Sequence, residues 1–361
     1  MDFILDAPIN GLSFGNVSYG ILRELWRRDA NVHLLPLKQF EPQSFPQQDK
    51  DFWSWVNESA QNAHLNIKKD MPSFKLWHIS GSHERCSAKQ ALFTFYEMNQ
   101  PTEVEKNLLN LQDKVFVSSN YSSNILKKHG IKSDVLPLGF DNDFHKTNKK
   151  YLDTDIVHFC LMGKFEKRKH TEKIIKLWCS KYGNNNKYLL TLLVDNPFFQ
   201  KKDMNNILQN CFEGKNYSNV NILPRLNSNL EVNELLNSID IDLTGLSGAE
   251  GWNLPSFNAT CLGKWSLVLN ETAHKDWATK ENSILVESNG EEESYDGKFF
   301  IKGAPFNQGT IYTWDRDNVA ECMDIAVSKK GQINTAGEDL KNQFSYSNTV
   351  DRLLKGLEEI V

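Results

Sequence analysis

The sequence predicts an α/β protein with two Rossmann-like domains, their parallel sheets facing each other across a cleft. Three observations predict it. At 361 residues the chain is too long for one comfortable hydrophobic core. Short β-rich runs alternate with helical-period segments from one end to the other. One polar stretch, DNDFHKTNKKYLDTD at 141–155, divides that alternation in two. Strand–helix alternation implies parallel strands, because each crossover helix covers a face of the sheet.

Taken in order, DFILDAP (2–8) reads as a strand, and 16–29 as a helix with Val17, Ile21, Leu22 and Leu25 on one face. Strands follow at 74–80, 92–98, 114–119 and 133–140, with helical runs near 102–111 and 120–129. Beyond the polar stretch, strands are expected at 156–163, 188–195, 219–225, 239–246, 265–270 and 283–288. A further helix is expected to start near Pro255, since proline is favoured in a first turn. No internal repeat or low-complexity tract interrupts the pattern.

Composition narrows the function. With 40% hydrophobic and 24% charged residues the chain reads as globular. A net charge of −5 supplies no global positive field for nucleic acid or anionic lipid, although a local basic groove stays open. The six cysteines (86, 160, 179, 211, 261 and 322) show neither C-x-x-C nor Cys/His spacing, so neither a metal site nor a disulfide framework is expected. MDFILDAP is too short an apolar run for a signal peptide, and no run approaches ~18 residues. A cytoplasmic protein is the expectation.

Ligands in open α/β sheets sit beyond the carboxyl ends of the strands. The expected site loops are therefore 9–20, 78–86, 162–170, 195–200, 223–228 and 246–258. In MGKFEKRKH (162–170), Lys164, Lys167, Arg168 and Lys169 crowd a helix start. Cations beside unpaired helix N–H groups suit a diphosphate; a solvated basic turn fits the composition equally well. FGNVSYG (14–20) offers Gly15 for close backbone approach, but Gly11, Gly15 and Gly20 do not make G-x-G-x-x-G. A nucleotide-cofactor oxidoreductase is disfavoured for that reason. HISGSHER (78–85) puts His83 on small residues just past a strand, whereas His78 reads as a core residue. Glu97 ends another strand, in a structural or a functional role. The acids of DID (240–242) resemble a metal motif, but the flanking alternation argues that both share the outer face of a strand.

SGAEGWNLPSFNATCLGKW (247–265) sets Glu250 among small residues ahead of a helix that carries Asn258. This stretch resembles the retaining GT-B glycosyltransferases, family 4 above all, whose pattern runs Glu-Gly-x-x-Leu-Pro and then a second Glu eight residues after the first. MGKFEKRKH is similar to that family's phosphate loop. VFVSSNYSSNILKKHGIKSDVLPLGFD (115–141) resembles the run that closes its first domain, and FSYSNTVDRLLKGLEEI (344–360) its final helix. The likeness covers nearly the whole chain. An Asn/Lys-rich composition and WHISGSHE resemble phage-encoded members, some of which glycosylate modified bases in DNA.

The resemblance implies an acceptor-side domain over 1–147, a nucleotide-sugar-binding domain over 148–335, and a terminal helix over 336–361 that returns to the first domain. It implies that Lys164, Arg168 and Lys169 bind the donor diphosphate and that Gly15 lies near the phosphates. Glu250 contacts the donor sugar, while Gly251, Trp252, Asn253 and Leu254 hold sugar and phosphate by their backbone. His83 faces the sugar, and Asn258 reaches the ribose. Position 258 is Asn where the family usually has Glu, and position 170 is His where Gly is usual, which suggests a less tight turn. A UDP-sugar is the donor by family frequency. No metal or cofactor is implied, and neither is an obligate protein partner or a membrane span. The acceptor is a glycan or a hydroxymethylated base in DNA. A catalytically impaired nucleotide-sugar-binding protein of the same fold is the alternative.

Overall fold

The computed structural model describes every residue except 148, 150, 153 and 154, and the side chain of residue 39. The expected linker at 141–155 therefore lies partly outside the described residues.

Two six-stranded sheets carry the molecule. The first is built from β1 (Phe3–Ile9), β2 (Val32–Phe40), β3 (Ser73–Leu76), β4 (Gln90–Thr94), β5 (Lys114–Val117) and β6 (Asp134–Val135). Its strands run parallel in the order β2-β1-β3-β4-β5-β6. The second holds β7 (Val157–Met162), β8 (Tyr188–Leu193), β9 (Val220–Ile222), β10 (Ile241–Asp242), β11 (Trp265–Leu269) and β12 (Ile284–Val286), again all parallel. Its order is β12-β11-β10-β7-β8-β9. The central strands β1, β7 and β11 are buried throughout, as strands covered on both faces must be. The GT-B arrangement of two Rossmann-like domains expected from the sequence is the observed fold.

Helices cover both sheets. α1 (Ser13–Arg27) buries Val17, Ile21, Leu22 and Leu25, the face its period marks. α2 (Lys50–Asn66) and the edge strand β2 lie in a stretch where the sequence suggested no element. Pro36 inside β2 is tolerated because the strand is at the sheet edge. α3 (Glu103–Asn110) starts at a capping box in which Thr102 and Glu105 satisfy each other's backbone N–H. α4 (Asn120–Lys128), α5 (Thr171–Tyr182), α6 (Lys201–Cys211), α7 (Asn229–Ser238), α8 (Leu254–Cys261) and α9 (Arg316–Ser328) complete the crossovers. The chain ends in α10 (Thr335–Glu338), α11 (Leu340–Gln343) and α12 (Tyr346–Glu358), with α12 packed on α1.

Two of the expected strands shrink to two residues. The run 133–140 keeps only β6, because Pro137 has no N–H for a ladder. The run 239–246 keeps only β10, because the Asp242 carboxylate accepts from Thr244 N (3.0 Å) and turns the chain into a 3-10 turn over Thr244–Leu246. The two acids of DID do not share an outer face. Asp240 accepts from His158 N at 2.9 Å, while Asp242 is buried beneath α8 beside Ser256 and Ser266.

One element lies outside the sheets. β13 (Ser288–Glu293) and β14 (Thr310–Trp314) form an antiparallel hairpin whose excursion reaches the first domain. Thr102 Oγ1 donates to Pro305 O (2.6 Å), Asn307 N donates to Glu105 Oε1 (3.0 Å), and Asn99 Nδ2 donates to Thr310 Oγ1 (2.7 Å). Phe300 and Ile311 enter one apolar cluster with Tyr96, Leu109 and Val117 of the first domain. Among the described residues no helix is long and apolar enough to cross a membrane.

Candidate functional site

Sheet order decides where the loops meet. In the second sheet the order reverses between β7 and β10, which leave their carboxyl ends side by side. The loops beyond them are 163–170 and 243–253, and a crevice opens at such a switch point. In the first sheet the reversal falls between β1 and β3, so the loops after Ile9 and Leu76 face the crevice from the other side.

The cationic loop leaves β7 through Gly163, whose φ of +119° favours a residue without Cβ, and Lys169 folds over it. A 3-10 turn over Lys167–Lys169 then feeds α5. His170 occupies the left-handed region at φ 53°, the conformation a glycine would take, so the turn is no looser than with Gly. Packing holds it there: Nε2 donates to Tyr312 O (2.7 Å) and the ring meets Trp314 edge-on. Burial pushes the His170 imidazole down to about 4, so it stays neutral.

Glu250 is only 4% exposed and sits between Lys169 Nζ at 2.5 Å and an Arg168 nitrogen at 3.2 Å. Burial alone would raise its carboxyl; Lys169 and Arg168 outweigh that and hold it well below the usual carboxylate range. Arg168 is itself buried, pairing with Glu166 at 2.9 Å and donating to Ala249 O at 2.7 Å. It also reaches Glu97 of the first domain at 3.2 Å. Burial raises the Glu97 carboxyl, Glu250 and Glu166 add to the rise, and Arg168 opposes it. Lys164 pairs with Glu166 at 3.0 Å and lies over the ring of the exposed Phe198. Lys169 and Lys164 thus border the crevice, whereas Arg168 is occupied by internal partners that fix Glu250 and close the two domains.

Glu250 does not cap α8, because the N-cap position is Asn253. Asn253 takes φ +70°, donates through Nδ2 to Thr244 O (3.0 Å), and meets His274 Nε2 at 3.0 Å. His274 is fully buried and its Nδ1 bonds Leu269 O at 2.9 Å, which fixes Nδ1–H and leaves Nε2 to accept from Asn253. Burial pushes this imidazole down to about 4. Gly251 O accepts from Ser118 Oγ at 2.6 Å across the domain boundary, and a Cβ at 251 would lie 3.2 Å from Phe95 Cβ. Trp252 is a buried anchor, with its ring on Phe257 and Phe344 and its carbonyl accepting from Trp277 Nε1. Leu254 opens α8. Asn258 is buried on α8, with Oδ1 lacking a partner among the described residues.

The first domain contributes differently from expectation. His83 lies between Ser82, whose carbonyl accepts from Gln90 Nε2 (2.8 Å) at the start of β4, and Arg85, which donates to Leu111 O (2.8 Å) before β5. Those bonds hold it toward the amino ends of the strands, away from Glu250. His78 replaces it at the crevice. Its ring is 4.6 Å from Phe14 and edge-on to Trp77; partial desolvation against those rings, with Lys164 and Lys38 nearby, lowers its basicity. The reading of His78 as a core residue is therefore corrected: the side chain is exposed at the carboxyl end of β3. Gly15 is buried in α1, where a Cβ would lie 2.0 Å from Asn10 O, so its glycine serves the tight β1–α1 connection.

His274, Ser118 and the buried Asp242 were not foreseen. His274 and Ser118 act on Asn253 and Gly251 from distant sequence, for which no local signal exists, whereas Asp242 turns the chain locally through Thr244 and only its burial beneath α8 needed the fold. Among the described residues no group of three or more His, Cys, Asp or Glu side chains could hold a metal ion.

No protein-family model and no curated protein sequence matches the chain. Solved structures do match. Sucrose-phosphate synthase from Thermosynechococcus elongatus superposes with a TM-score of 0.68 at 11% identity, over 99% of this chain and 98% of that one. Anabaena Alr3699/HepE in complex with UDP-glucose gives 0.64 at 12% identity, over 99% of both chains. A glycosyltransferase from Rickettsia africae gives 0.64 at 13% identity, over 99% of this chain and 98% of that one. At these identities the likeness shows the fold, and function has to be argued from the site.

Proposed function

We propose that the protein is a retaining glycosyltransferase that moves a sugar from a nucleotide-diphosphate sugar, with UDP as the nucleotide, to an acceptor hydroxyl. One observation carries this reading: the β7/β10 switch point brings Lys164, Lys169 and the start of α5 together with the Glu250–Asn258 loop and helix. The similar Anabaena structure holds UDP-glucose, which supports the choice of donor. Asn258 lies on α8, in the second turn beyond the Glu250 loop, which supports its amide as the ribose contact. Division near 147/148, with 336–361 returning to the first domain, is part of the same proposal and is supported by the packing of α12 on α1.

In this mechanism the bond from the anomeric carbon to the diphosphate breaks while the acceptor oxygen attaches on the same face. The acceptor proton leaves with the departing phosphate oxygen. Lys164, Lys169 and the helix N–H groups stabilise the charge that develops there. Glu250 orients the sugar through a charge-assisted hydrogen bond. His78, its basicity lowered by desolvation against its aromatic neighbours and by Lys164 and Lys38, and Trp77 face the acceptor side, where a glycan or a hydroxymethylated base in DNA would stack. The expected compartment is the cytoplasm.

Isothermal titration with UDP tests the donor site. A charged hydrogen bond is worth about 1.5–3 kcal/mol, so Lys169→Ala should weaken UDP by roughly 10- to 150-fold. Unchanged affinity in both Lys164→Ala and Lys169→Ala would remove the diphosphate from this loop. Asn258, in place of the family's Glu, favours a second reading, a nucleotide-sugar-binding protein without turnover. Release of UDP from UDP-sugars, offered with glycans or with hydroxymethylated DNA, separates the two.

A further inference from the structure

A cavity of about 420 Å³ opens away from the crevice, between the end of α1, the chain at 140–146 and the junction of α11 with α12. Its charged walls are Arg27, Lys146 and Lys341, with His145 beside them and Glu24 as the acid. The acid is already balanced, since Arg28 Nε holds Glu24 at 2.8 Å and Arg27 stands at 3.6 Å. Lys146 has Glu338 as its partner. Lys341 lies over the Phe140 ring at 5.1 Å and has no carboxylate in ion-pair reach among the described residues. The concavity is thus lined by cations and aromatic rings together, with Lys341 stacked on Phe140, and it falls in the size range of small-molecule sites. Phe344 joins it to the crevice. Phe140 N donates to Phe344 O (2.8 Å), and the Phe344 ring packs on Trp252 and Phe257 of the Glu250 loop and helix.

We propose that this cavity is a second ligand site, separate from the donor crevice, that takes a phosphorylated small molecule. Arg27 and Lys341 meet the phosphate, and Phe140 meets the less polar body. Sugars with a single phosphate fit both the volume and the mixed walls of this half-open hollow.

Glucose 6-phosphate is a suitable probe, read by isothermal titration and by thermal shift on the full chain. Wild type and Lys169→Ala should bind it alike, since Lys169 belongs to the other site. Lys341→Glu should weaken it by about tenfold or more, because a charge-assisted bond becomes a repulsion. Lys341→Gln, which keeps the stem over Phe140, should give a smaller loss in the same direction and decides the matter if the charge reversal fails to fold. Absence of binding to wild type would overturn the proposal. So would unchanged affinity in a folded Lys341→Glu, or a loss confined to Lys169→Ala, which would put the probe in the crevice. None of these outcomes depends on whether the crevice binds UDP.

Discussion

Glu250 stays ionised because Lys169 and Arg168 outweigh the burial that would otherwise neutralise it. Glu250→Gln keeps the shape and removes the charge, which leaves Arg168 buried with one carboxylate fewer. Stability should fall by about 1–3 kcal/mol, the cost of an under-satisfied buried group. Turnover with UDP-sugar should drop, while UDP itself binds as well or better because Lys169 is released. A variant with normal turnover and only a lowered melting temperature would make Glu250 purely structural. His274 and His170 set the acid limit. Both stay neutral in the fold down to about 4, well below the ordinary histidine value of about 6.5. A depressed pKa contributes stability above 6.5 that is lost as pH falls toward 4, because the unfolded chain takes the proton first. For a shift of this size the loss is on the order of 3 kcal/mol per residue. Melting temperature should therefore fall steeply from pH 6.5 to 4.5, and His274→Gln should flatten the slope even though it lowers the plateau.

At the scale of elements, the contact between α1 and α12 depends on the missing side chain of Gly20. A Cβ there would lie 2.2 Å from the Tyr346 ring, whose buried face cannot retreat. Gly20→Ala should cost about 1–3 kcal/mol through overpacking, read as a lower urea midpoint at unchanged slope. Gly214→Ala is the control for backbone strain alone, since φ is +71° there and nothing lies within 4 Å of the added Cβ. Gly20 itself sits at an ordinary helical φ, so a Gly20→Ala variant that loses no stability would show that packing of α12 on α1 is not what Gly20 protects. The same reasoning explains Gly248, where a Cβ would strike Tyr312 O and His170, the pair that holds the left-handed turn before α5. Small residues around Glu250 therefore allow close approach rather than flexibility.

Across the whole molecule the two sheets are fastened at several separate places. Ser118 bonds Gly251, Arg168 pairs with Glu97, Asn120 N donates to Asp276 (2.8 Å), and the β13–β14 excursion grips α3. Opening the crevice means breaking bonds both at its floor and at this strap. Asn99→Ala combined with Glu105→Ala removes strap contacts without touching the crevice. Small-angle scattering should then show a larger radius of gyration for the double variant in the absence of UDP, shrinking toward wild type when UDP is added. Identical scattering in both forms would show that the strap does not restrain the domains.

The sequence by itself determined the fold class, most strands and helices, and the two loops that meet at the β7/β10 switch point. These were legible because apolar periodicity, proline, glycine and a cationic turn are written within a few residues of one another. The cations Lys164 and Lys169 and the acid Glu250 were legible as loop residues for the same reason. Tertiary structure alone decided what those residues touch. Whether a histidine faces the crevice depends on how the chain leaves β3: His78 does, and His83 is drawn to the amino ends of β4 and β5 by bonds to Ser82 and Arg85. Arg168 looks like a phosphate ligand in sequence, yet the fold surrounds it with Glu97, Glu166 and Glu250 from three distant segments. β2 was obscured by Pro36 inside its run, and the β13–β14 strap by its dependence on packing against the first domain. Periodicity is a property of neighbours in the chain; burial and charge pairing are properties of neighbours in space, and only folding brings the second kind together.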